Sequence, residues 1–106
     1  MTRVPLLLDT DIGDDVDDVF ALLLAARCPD VELLGVTTVF GDVGERARIA
    51  RKLLRLADRG DVPVVAGSAR TLSGRDPGAM ITSGTGFASD ESRDDRDTRD
   101  DAAGFL

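Results

Sequence analysis

Residues 4–66 alternate short apolar runs with stretches of helical periodicity, and this alternation restricts the chain to few folds. Val4 to Leu8 is a continuous apolar run ended by Asp9. That pattern predicts a strand buried on both faces. From about Asp15 to Arg27 apolar residues crowd the sequence, with acids at the start, where a helix dipole favours them. Pro29 and Asp30 break this helix, and Val31 to Val39 is β-branched and apolar enough for a second buried strand. Between about Gly44 and Arg59, Ala47, Ala50, Leu54 and Ala57 recur at three- and four-residue steps, with Arg48, Arg51, Lys52, Arg55 and Arg59 on other faces. Gly60 is expected to stop this second helix, and Val62 to Ala66 supplies a third strand. Strand, helix, strand, helix, strand with short connections predicts an α/β fold, a Rossmann-like parallel sheet with a βαβαβ start.

With 106 residues the chain has material for one core at most. Aromatic residues are 4% and neither Trp nor Tyr occurs, so the core must be aliphatic. Beyond Gly67 the pattern gives way to Gly, Ser, Thr and Pro, and residues 89–101 are a run of Asp and Arg without apolar periodicity. We therefore expect residues 1–88 to form the folded unit and residues 89–106 a charged, disordered tail or the start of a further helix. Cys28 is the sole cysteine, which excludes an internal disulfide and predicts a small buried residue in a reduced, cytoplasmic protein. No stretch has the length of a membrane span, and Met1 to Leu8 lacks the pattern of a signal peptide. A formal charge of −7 argues against a nucleic-acid partner and toward cations.

In a parallel sheet, ligands gather beyond the carboxyl ends of the strands. Asp9 and Asp11 follow the first strand and Asp42 follows the second, while Asp14, Asp15, Asp17 and Asp18 open the first helix. One or two acids suffice to cap a helix and shape a turn. Six aspartates between positions 9 and 18 exceed that need. If the two strands are neighbours, their carboxylates repel unless protonated or joined by a cation, for which a hard divalent ion with oxygen ligands is suited. An EF-hand is excluded, because Asp14 stands where its loop needs glycine and Phe20 where it needs a bidentate glutamate. A Walker phosphate loop is excluded for want of Gly-Lys-Ser/Thr. The Ser83-Gly84-Thr85-Gly86 stretch reads as a plain loop, and the arginines of the second helix as a solvated face.

The block Leu6-Leu7-Leu8-Asp9-Thr10-Asp11-Ile12-Gly13-Asp14-Asp15-Val16-Asp17-Asp18 resembles the amino-terminal motif of the inosine-uridine-preferring nucleoside hydrolases. Val31 to Gly41 resembles that family's second strand, at the expected distance. The resemblance implies calcium-dependent hydrolysis of the N-glycosidic bond of ribonucleosides, as in nucleoside salvage, by an enzyme longer than this chain that assembles into a homo-oligomer. It implies that Asp11 and Asp18 bind Ca²⁺, that Asp11 is also the general base, that Asp17 holds the ribose hydroxyls and that Asp9 supports the loop. The family's shorter motif places its aspartate pair sooner after the glycine, which makes Asp15 a further candidate ligand. Asp42 stands where many members carry an asparagine at the metal or substrate, and it is assigned to substrate binding. The family's histidine near the leaving base has no counterpart, since the chain contains no His. Two alternatives remain open. One is a haloacid-dehalogenase-type phosphohydrolase, which Asp9-Thr10-Asp11 imitates and Gly13 disfavours; the other is a non-catalytic fragment or degraded copy.

Overall fold

The computed structural model describes residues 2–70. The expected boundary at residue 88, the loop at residues 83–86, the charged run at 89–101 and the helix opening at 100–106 lie outside the described residues. Within them the order is β1 (Val4–Thr10), α1 (Val16–Arg27), β2 (Val31–Thr38), α2 (Val43–Leu56) and β3 (Val64–Ala66). The three strands form one parallel sheet in the order β1-β2-β3. The expected βαβαβ start is thus the observed architecture. Two successive right-handed crossovers stepping in one direction put both helices on one face. In agreement, α1 and α2 pack against each other and against β2.

Each helix end has a local cause. Asp15 is the N-cap of α1 in an extended conformation, and Asp17 and Asp18 fill the positively polarised first turn. Pro29 ends this helix by forcing Cys28 out of the helical region, to ψ 122°, while the Cys28 N–H still bonds the Leu24 carbonyl at 2.8 Å. Asp42 caps α2 by accepting from the Glu45 N–H at 3.0 Å. The end of α2 lies earlier than expected, and Gly60 does not form it. Asp58 takes the left-handed conformation (φ 61°), the Asp58 N–H bonds the Arg55 carbonyl and the Arg59 N–H the Leu54 carbonyl. These two bonds form a Schellman closure with aspartate in the position glycine usually takes.

The core is aliphatic, as the composition requires: Leu22, Ala25 and Ala26 of α1, Ala47, Ile49, Ala50, Leu53 and Leu54 of α2, Leu33 and Val36 of β2, and Val62, Val64 and Ala66 around β3. Two expectations fail. β1 is not buried on both faces, with Val4 61% and Leu7 42% exposed, because among the described residues it pairs only with β2 and carries helices on one side. Cys28 is half-buried rather than buried, because it terminates α1 instead of facing the core.

Candidate functional site

The site is set by register. β1 and β2 are parallel neighbours, Asp9 is level with Thr37, and Thr10 with Thr38, so both strands open at one edge. The ladder continues one step further, as the Val39 N–H donates to the Thr10 carbonyl at 3.0 Å. Asp9 and Thr10 lie inside β1 rather than past it. β2 then leaves the sheet through two left-handed residues, Phe40 (φ 73°) and Gly41 (φ 75°), which turn the chain into the Asp42 cap of α2.

At this edge the carboxylates are sorted into separate partnerships. The Asp11 and Asp18 carboxyls lie close enough for a bond between them to govern both groups. Their bond, then burial and the Asp18 charge, raises the Asp11 carboxyl above the ordinary aspartate value. The same bond holds Asp18 below it, helped by Thr10, whose Oγ1 donates to Asp18 Oδ2 at 2.7 Å. Asp9 Oδ1 accepts from Thr37 Oγ1 at 2.7 Å. Asp14 Oδ2 pairs with the Arg46 guanidinium at 3.1 Å. Asp15 and Asp17 are exposed on the rim of the α1 N-terminus, and Asp42 is half-buried in its capping role. The structure therefore brings Asp11 and Asp18 together and leaves Asp9 bonded to Thr37, Asp15 and Asp17 exposed, and Asp42 in the cap of α2. Among the described residues no three His, Cys, Asp or Glu side chains converge as a group able to hold a metal ion. A cavity of about 260 Å³ lies elsewhere, lined by Arg51, Leu54, Arg55 and Val62 among others, at the opposite end of the sheet where β3 begins.

The sequence model of the inosine-uridine preferring nucleoside hydrolases matches residues 6–106, nearly the whole chain and including both strand ends just described. The chain belongs to this family. It is 45% identical over 74 residues to uridine nucleosidase 1 of Arabidopsis thaliana, covering 68% of this chain and 21% of that protein. Identity is 39% over 71 residues with the pyrimidine-specific ribonucleoside hydrolase RihA of Shewanella oneidensis, covering 65% and 22% respectively. Among solved structures, a plant nucleoside hydrolase superposes with a TM-score of 0.63 at 28% identity, over 71% of this chain and 24% of that one. The chain spans about a fifth to a quarter of the length of these relatives. Membership in the family leaves the phosphohydrolase alternative without support.

Three residues of the site are not evident from sequence. Thr10 and Thr37 orient Asp18 and Asp9 from within the strands, where threonine reads as an ordinary strand residue. Arg46 is fully buried, and the expected solvated face of α2 holds only in part, since Arg55 is exposed while Arg48, paired with Glu45, and Arg51, bonded to the Val64 carbonyl, are half-buried. The available signal was positional: Arg46 precedes Ile49, Ala50 and Leu53 by three, four and seven residues, on the face that the helix buries.

Proposed function

We propose that this chain carries the cation- and ribose-binding edge of a nucleoside hydrolase that splits the N-glycosidic bond of ribonucleosides into free base and ribose. The observation that carries this reading is the Asp11–Asp18 pair at the carboxyl edge of a parallel sheet in a chain of this family. Two neighbouring carboxylates repel each other, and a hard cation with oxygen ligands relieves that repulsion. Asp11 and Asp18 would hold Ca²⁺, with Asp15, which the family's shorter motif spacing brings into contention, as a further donor, and these supply only part of the six to eight oxygens such an ion takes. When bound, the ion orients a water and lowers its pKa.

The chain's own residues do the rest. Asp11 takes a proton from the attacking water as general base. Asp17 accepts hydrogen bonds from the ribose hydroxyls, and its exposed place on the rim leaves it open to a sugar. Asp9, held by Thr37, would support the loop, and Asp42, the cap of α2, would meet the substrate from the end of the second strand. Negative charge at this edge stabilises the oxocarbenium-like sugar of the transition state. We place the protein in the reducing cytoplasm and expect the full-length form to be a homo-oligomer. No helix of the described residues is long and apolar enough to cross a membrane.

Because the chain spans only part of its relatives, it is expected to bind Ca²⁺ weakly and to release no base from inosine or uridine by itself. Isothermal titration of the folded chain into millimolar Ca²⁺ tests the first part, and absence of heat removes the cation reading. Base release above background that is lost in Asp11→Ala would show instead that the active site is complete in these residues. In a protein carrying this segment within the family's full length, Asp11→Ala abolishes turnover and Asp17→Ala chiefly raises KM.

A further inference from the structure

We infer that Arg46 is the positioning residue of this edge: it fixes the turn after β1 against the exit of β2, so that Asp11 and Asp18 are presented in one geometry. The inference rests on the reading of that pair as the cation- and substrate-binding edge. The Arg46 Nε donates to the Phe40 carbonyl at 2.6 Å, Nη1 to the carbonyls of Asp11 at 2.6 Å and Ile12 at 3.0 Å, and Nη2 to Asp14 Oδ2 at 3.1 Å. Three of these four bonds go to backbone oxygens, so the side chain fixes the path of the chain as well as meeting a charge. The carbonyl that it holds at Asp11 belongs to the residue whose carboxyl meets Asp18. The carbonyl that it holds at Phe40 belongs to a non-glycine residue in the left-handed region, a conformation that persists only when its surroundings impose it.

A buried cation at this face is costly unless its donors are used, and an apolar side chain would serve the packing of α2 as well. What an apolar residue cannot do is join the turn after β1, 32 to 35 positions away in sequence, to the exit of β2, six positions away. Lysine cannot do it either, since the planar fork of guanidinium sends donors in several fixed directions while an ammonium offers one point charge. Arg46 thus couples the two strand exits, and the carboxylates move with it.

The test uses the full chain in three forms besides wild type: Arg46→Lys, Arg46→Met, and Arg46→Met combined with Asp14→Asn, which neutralises the carboxylate left behind. Backbone order parameters from nitrogen-15 relaxation are measured without metal, followed by Ca²⁺ titration. The double variant should keep rigid helices α1 and α2 while residues 11–14 and 40–41 fall below about 0.6, the range of flexible backbone. Its Ca²⁺ affinity should drop at least tenfold, and Arg46→Lys, which folds with the charge retained, should not restore it. Unchanged order at residues 11–14 and 40–41 in the variants overturns the inference. So does a uniform loss of order across α1 and α2, which marks a merely structural role, or full Ca²⁺ affinity in Arg46→Lys. A wild-type chain that takes up no Ca²⁺ removes the cation reading instead, and the order parameters then decide the inference alone.

Discussion

Replacing Thr10 by valine removes one hydroxyl from a strand position that favours the new side chain, and it isolates the bond that holds Asp18. Thr10 is 5% exposed and its Oγ1 donates to Asp18 Oδ2 at 2.7 Å. A buried hydrogen bond to a charged group contributes about 1.5–3 kcal/mol. Asp18 is half-buried, so water replaces part of the lost bond, and about 1 kcal/mol of destabilisation is expected at neutral pH. In a domain this small that lowers Tm by roughly 5 °C. The effect should depend on pH in one sense. Asp18 titrates below the ordinary value of 3.8, so its bond contributes fully above 3.8 and is lost as pH falls through its folded value. Asp11 titrates above 3.8 and acts oppositely: the stability it contributes is present in acid and is lost as pH rises through its folded value. Both trends run in wild type and variant, and their difference isolates the Thr10 bond. The chain has no Trp, so urea unfolding is followed by far-ultraviolet circular dichroism from pH 7 down to pH 3. Equal midpoints at pH 7, or a gap that widens in acid, would refute the assignment of this bond.

Asp18→Asn should bring the Asp11 carboxyl down toward 3.8, since it removes the like charge and supplies an amide donor; carbon-13 titration of the Asp11 side chain reads this directly, and an upward shift contradicts Asp18 as the cause of the raised value. Asp42→Ala should destabilise the fold by about 1 kcal/mol through loss of the α2 cap, while Asp42→Asn should cost only a few tenths; paired urea curves compare them. Asp58→Gly should stabilise by about 0.5 kcal/mol, because Asp58 is exposed and left-handed where glycine carries no Cβ penalty, and a lower unfolding midpoint would contradict that account.

The period of apolar residues determined the class of fold. Alternating strand and helix signals with short connections leave a right-handed parallel βαβαβ unit as the consistent arrangement, and β1, α1, β2, α2 and β3 follow it. The position of the aspartate cluster at the carboxyl edge of the sheet was likewise legible, because acids that end a strand and open the following helix must lie there. Partnership among those acids was not legible. Whether Asp18 meets Asp11, Asp9 meets Thr37 or Asp14 meets Arg46 depends on strand register and on the rotation of two helices, set by packing across about thirty residues of sequence. Exposure of β1 was also decided in three dimensions, since a run such as Val4 to Leu8 reads the same at an edge as in the middle of a sheet. Arg46 shows the limit most sharply. In sequence it is one arginine among several on a basic helix, and only the fold, by closing two strand exits over that helix, makes it a buried cation between backbone carbonyls and a carboxylate.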